Sequence, residues 1–295
     1  MKKPHKAVTT ALLPQYQGSE LIKELMLEAI HCEDSEIERV DNNPRLIEVT
    51  KKELDSDALF YFYENREAFR DEFIDELEQC GISSEEYISF CNVIAKEWIT
   101  GRPLDGVLKL KKSILNYFQE INQGRTNFEK IIRSSVDELS LIEPLISTKT
   151  LLKILSINHQ MLYEHIEKWK DSHPDRDKMS SGSVFLRRGL HFNTNLDTLN
   201  PYIEKDFINS YTIALTVAER FSQENNPEFR VHIHGDLRLF ENRVLFFSPF
   251  IPNMEVGELE FGIIPSEKPL PLHPQDLHGG IHEYLLDPMP FQIRK

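Results

Sequence analysis

Cysteine is scarce in this chain, with three among 295 residues. Cys32, Cys80 and Cys91 are odd in number and form no C-x-x-C pair, which argues against a disulfide framework and for a reduced, cytosolic setting. All three fall in segments of helical character and are read as buried helix residues. No apolar run reaches the roughly 18 residues that a membrane-spanning helix needs. The basic start Met1-Lys2-Lys3-Pro4-His5-Lys6 is followed by no apolar core, so no secretory signal peptide is expected. Neither G-x-x-x-x-G-K nor G-x-G-x-x-G occurs, which removes the P-loop and Rossmann modes of nucleotide binding. There is no internal repeat and no low-complexity tract. Basic residues are outnumbered 34 to 48 by acidic ones, a net charge of −14. Broad nucleic-acid binding, which needs basic surface to displace counterions, is therefore not expected. One local cationic spot for a small phosphate ligand remains compatible with that balance.

What is present suffices for one large or two ordinary domains, and 40% hydrophobic residues with 10% aromatic can bury a sizeable core. Up to about residue 172 the pattern is helix after helix. Apolar residues recur at helical spacing over Ser19–Ile30. A longer helical stretch, Leu54–Cys80, is stopped by Gly81. Ser83-x-x-Glu86 is a capping box, in which the serine satisfies an orphan backbone N–H and the glutamate reaches back. Its helix runs to about Thr100 and ends at Gly101-Arg102-Pro103. Further helices are predicted over Asp105–Gln123, after a second capping box at Thr126-x-x-Glu129, and over Thr148–Asp171.

The character changes in the polar, breaker-rich stretch His173–Ser183. Beyond it come short runs, Val184–Phe192, Phe229–Leu239, Val244–Phe247, Glu258–Ile264 and Tyr284–Leu286, punctuated by prolines, with one helix-like segment at Ile213–Gln223. Gly279-Gly280 reads as a turn. The fold class is α+β: a helical region over 1–172, then a mixed, mostly antiparallel β domain over 183–295.

Three motifs follow one another in that second region. Val184–Leu190 is an apolar strand carrying Arg188-Gly189. Ser210-Tyr211-Thr212 is followed by Ala218 six residues after Thr212 and Phe221 three after that. Gly257-Glu258-Leu259-Glu260-Phe261 places two carboxylates one residue apart at a strand entry. On a strand, Glu258 and Glu260 would share a face. That crowding should raise at least one pKa or demand a cationic partner.

This ordered set, over roughly residues 183–295, resembles the R-S-E mono-ADP-ribosyltransferases, which include bacterial toxins and effectors and arginine-specific vertebrate enzymes. Ser-Tyr-Thr stands where that family carries Ser-Thr-Ser. The resemblance implies an ADP-ribosyltransferase-like β domain that takes NAD as co-substrate and transfers a single ADP-ribose to a protein side chain, most often arginine. Glu260 would stabilise the positive charge that develops on the ribose, and Glu258 would orient the acceptor guanidinium. Arg188 would hold the anionic half of NAD, and Gly189 would let the backbone approach it. Ser210 would fix Glu260, and Thr212 would brace the same corner. Phe240, Phe246, Phe247 and Phe250 are candidates for covering the nicotinamide. The helical region would recognise or position a protein substrate, a host protein if the chain is an effector exported without a signal peptide. Neither nucleic acid nor membrane is expected as a partner.

Two other readings compete. His232-Ile233-His234 puts two imidazoles on one strand face and, with Asp236 or with His273, His278 or His282, could form a cupin-like metal site. A non-catalytic helical interaction protein with a β appendage is the other, since residues 1–170 carry no motif tied to chemistry.

Overall fold

The computed structural model describes residues 60–122, 139–171, 185–193, 202, 204, 206–223, 227–266, 270–278 and 280–286. The helix expected over Ser19–Ile30, the capping box at Thr126, Cys32 and the stretch 173–183 lie outside the described residues.

Helix α1 (Arg66–Gln79) buries Phe69, Phe73 and Leu77, each four positions from the last, on one stripe. It ends where Gly81 takes a left-handed φ of 68°. The amide of Gly81 donates to the Glu78 carbonyl and that of Ile82 to the Leu77 carbonyl, a Schellman closure with Ile82 buried behind it. The expected capping box opens α2 (Ser84–Asn92), with the Glu86 amide donating to Ser83 Oγ and the Ser83 amide to Glu86 Oε2. A π turn, Val93–Glu97, and a 3₁₀ turn, Trp98–Thr100, then carry the chain to Gly101 at φ 64°. Helix α3 spans Asp105–Asn122 and α4 spans Thr148–Asp171. Of the cysteines, Cys91 is buried in α2, which pushes its thiol up to about 12, whereas Cys80 is exposed just past the end of α1 rather than buried as expected.

The second region is a mixed seven-stranded sheet in the order β4-β5-β2-β1-β3-β7-β6. Its strands are β1 (Phe185–Phe192), β2 (Asn209–Thr212), β3 (Phe229–Asp236), β4 (Val244–Phe247), β5 (Glu260–Ile263), β6 (Leu272–His278) and β7 (Ile281–Leu286). Every adjacent pair is antiparallel except β3–β7. Helix α5 (Leu215–Gln223) follows β2 and packs on β1. The α+β class is thus observed. Strand β6 is not among the expected runs. It lies at the sheet edge, where Pro274 removes a donor that a central strand could not lose, and the ladder shifts register just after it. Gly280, at φ 78°, turns the chain between β6 and β7.

Helices and sheet share one core. The rings of Phe62 and Phe247 meet edge to face at 5.0 Å and those of Phe69 and Phe250 at 5.7 Å. Asn158 of α4 donates to the Leu245 carbonyl of β4 at 2.8 Å, and Arg70 of α1 to the Met254 carbonyl at 2.6 Å. Buried apolar residues run without a break in packing from Phe62 to Leu286. The helical layer is therefore a wall of the sheet's own core. No helix among the described residues is long and apolar enough to cross a membrane.

Candidate functional site

Strand register assembles the three motifs. Arg187 of β1 pairs with Thr212 of β2, and Thr212 pairs with Glu260 of β5. Opposite residues share a face, so these three lie in one line across three strands. Arg188, Gly189, Ser210, Thr212, Glu258 and Glu260 all border a cavity of about 240 Å³ beside α5, together with Ala218 and Phe221. It adjoins a larger cleft of about 810 Å³, bordered by Arg188, Asp206, Ser210, Glu258 and Glu260 on one side and by Trp98, Arg102 and Lys111 of the helical layer on the other. That volume falls within the roughly 300–1,000 Å³ usual for small-molecule sites.

Glu260 is held from two directions. Ser210 Oγ donates to its Oε1 at 2.6 Å and the indole Nε1–H of Trp98 to the same oxygen at 3.1 Å. Its amide donates to Ser248 Oγ at 3.0 Å. Burial pushes the Glu260 carboxyl above the usual carboxylate value, the bonds from Ser210 and Trp98 work the other way, and the nearby Glu258 adds to the rise. Trp98 was not foreseen, because nothing in the helical sequence marks it.

The expected face-sharing of the two glutamates is not what occurs. Strand β5 begins at Glu260. Glu258 precedes it, and the buried Leu259 between them takes a left-handed φ of 44°, a conformation that strains a bulky residue. The carboxylates therefore part company: Glu260 turns inward, while Glu258 stays half exposed and forms an ion pair with Arg220 of α5. The raised carboxyl of Glu260 and the cationic partner of Glu258 are both present, but the first comes mainly from burial rather than from crowding. Thr212 Oγ1 donates to the Glu258 carbonyl at 2.7 Å and accepts from the Ala214 amide at 2.9 Å, bracing the turn.

Alternation puts the neighbours Arg187 and Arg188 on opposite faces of β1. Register places Arg187 on the Thr212–Glu260 face, with its Nη1 donating to the Ile213 carbonyl at 3.0 Å. Arg188 lies with Tyr211, 5.7 Å from its ring, and donates to Asn209 Oδ1 at 2.8 Å and Asp206 Oδ2 at 3.1 Å. Both border the smaller cavity, and of the two only Arg188 borders the larger cleft. At Gly189 the close approach is made by α5: a Cβ there would lie 1.9 Å from the Ala218 carbonyl oxygen.

Phe240, Phe246, Phe247 and Phe250 are all fully buried, which corrects their candidacy for the nicotinamide face. The aromatics on the cleft are Trp98, Phe207 and Phe221. His232 and His234 do share a face, but the acid that joins them is Glu283 of β7, the parallel partner of His232. Asp236 instead caps the following 3₁₀ turn and pairs with Arg238. Comparison with protein-family models, with curated proteins and with solved structures gives no match.

Proposed function

We propose that this chain is an NAD-dependent mono-ADP-ribosyltransferase that modifies arginine on a protein. The observation that carries the reading is the bond between Ser210 and Glu260 inside a cavity that also collects Arg188 and Glu258. The resemblance assigns those residues to one site, and they come from three separated segments.

In this reading the bond between nicotinamide and ribose breaks and positive charge grows on the sugar. Glu260, oriented by Ser210 and Trp98, stabilises that charge. Partial burial strengthens the interaction by excluding water. Glu258, at the mouth, takes the acceptor guanidinium, a charge-assisted bond that suits planar recognition. Arg220 already presents such a guanidinium to it. Arg188 retains donors beyond those given to Asn209 and Asp206 and faces the cleft large enough for a dinucleotide, where its fork suits a diphosphate. Arg102 and Lys111 add positive charge to the same walls.

Incubation with NAD labelled in the adenylate half, together with a host lysate, tests the proposal. Discrete labelled protein bands that vanish in Glu260→Gln support it. Absence of both labelling and nicotinamide release from the folded protein overturns it in favour of a non-catalytic interaction protein.

A further inference from the structure

A second cluster lies outside the site just described. His232 and His234 of β3 are 1% and 2% exposed. Across the parallel β3–β7 ladder, His232 pairs with Glu283. One ligand atom from each of these three side chains falls within 4.8 Å of the others. His234 Nε2 is 2.5 Å from Glu283 Oε2, and His232 Nδ1 is 3.2 Å from Glu283 Oε1.

The protons on His232 can be assigned from its neighbours. Ser222 Oγ donates its single proton to the Glu219 carbonyl at 2.8 Å. Its 3.2 Å contact with His232 Nε2 must therefore be one in which Nε2–H donates and the hydroxyl oxygen accepts. That leaves Nδ1 as the lone-pair nitrogen of the neutral ring, and it lies beside a carboxylate oxygen. A nitrogen lone pair beside a carboxylate oxygen gains nothing from the contact. A proton on Nδ1 would make an ion pair with Glu283 but no aligned hydrogen bond, because Nδ1 has no such partner among the described residues. A buried nitrogen thus sits beside an anion but off the line of a hydrogen bond, the arrangement of two ligands that face an ion lying between them.

We propose that His232 Nδ1, His234 Nε2 and the Glu283 carboxylate bind a divalent transition-metal ion. Two ligands each about 2.1 Å from one ion, at angles between square and tetrahedral, stand about 3.0–3.4 Å apart. The His232–Glu283 separation matches that spacing, and the His234–Glu283 contact opens slightly to admit the ion. Two imidazoles and one carboxylate suit zinc or ferrous iron better than calcium or magnesium, which take oxygen ligands. Ser222 supplies the partner that a metal-bound histidine commonly has on its other nitrogen, fixing the ring and its tautomer. Three protein ligands leave a coordination position open, and Glu283, 19% exposed, gives the ion its way in. The ion would tie β3 to β7 and, through Ser222, to α5. The site is independent of NAD chemistry.

The test uses the full chain, purified without a histidine tag, stripped with EDTA and dialysed against micromolar Zn²⁺. The expected result is one zinc per chain, a melting temperature that rises with zinc, and a visible ligand-field spectrum when Co²⁺ replaces it. Glu283→Gln, which keeps the side-chain shape, and His232→Ala should each lose the bound ion and the cobalt spectrum, while the distant His159→Ala keeps both. Circular dichroism identifies any variant that fails to fold, and the wild-type zinc content decides independently of the variants. No bound zinc in the folded wild type, or zinc bound equally by wild type, His232→Ala and Glu283→Gln, overturns the site and leaves a metal-free hydrogen-bonded triad.

Discussion

Ser210 and Glu260 stand fifty positions apart in the chain and 2.6 Å apart between Oγ and Oε1. The bond stabilises the ionised carboxyl against the burial that raises its pKa. Removing the hydroxyl should therefore raise that pKa further. The acid limb of the activity profile is expected above the ordinary carboxylate range in the wild type and higher again in Ser210→Ala. Nicotinamide release measured across pH checks both shifts.

The same carboxyl bears on stability. Its folded pKa lies above the unfolded one, so between the two values the native state binds more protons. Stability is then greatest below the unfolded pKa and falls as pH rises through the folded one. Glu260→Gln should abolish that fall, which denaturant titrations at several pH values would reveal. It should also lower both transfer and NAD hydrolysis by about 10²–10³.

Glu258 is expected to behave differently. Glu258→Gln should stop protein labelling while slow NAD hydrolysis continues, because water needs no guanidinium clamp. Arg220→Ala should increase labelling by freeing Glu258 for an incoming acceptor. Their ion pair is half exposed and contributes no more than about 1 kcal/mol, so melting temperature should hardly move. Labelling and nicotinamide release, followed in parallel, separate the two effects.

The adjacent arginines divide in a similar way. Arg188→Ala should weaken NAD binding about ten- to hundred-fold, the worth of a charge-assisted contact of about 1.5–3 kcal/mol. Arg187→Ala strips the Ile213 carbonyl of its donor at the entry to α5 and should show first as lost stability. Calorimetric NAD titration beside thermal melting distinguishes them. NAD affinity lost in Arg187→Ala alone would reassign the anchoring role.

Gly189→Ala is the packing test. A methyl group cannot fit 1.9 Å from the Ala218 carbonyl oxygen, so α5 must move off β1. Overpacking of this kind costs about 1–3 kcal/mol, readable as a lower denaturation midpoint.

Much of this arrangement is legible in the sequence where local chemistry dictates it. The capping box at Ser83 and the span of α4 follow from capping and periodicity alone. The α+β division follows from the change of rhythm after Asp171. What depends on register was out of reach. Glu283 could not be joined to His232 without the parallel β3–β7 pairing, and the parting of Glu258 from Glu260 turns on one left-handed residue, Leu259, that alternation does not foresee. Strand β6 stayed hidden because a strand that tolerates Pro274 must lie at an edge, and strand order is not written locally. Trp98 escaped notice for a different reason: its partner is 162 residues away, and its own segment has no feature beyond an ordinary helix end.

That helix end has a further consequence. Trp98 follows directly on the π turn Val93–Glu97, and a π turn holds one residue more than the α turn it replaces. Winding those same residues as ordinary α-helix, with none deleted, would swing everything beyond them by about 100°. The indole would then point away from the sheet, and Glu260 would keep only one of its two side-chain donors. An irregularity in a helix wall thus sets the aim of a group that holds a carboxylate on a distant strand. A chain of the same length that lost this turn to regular helix could fold with every strand in place and still have that carboxylate wrongly held.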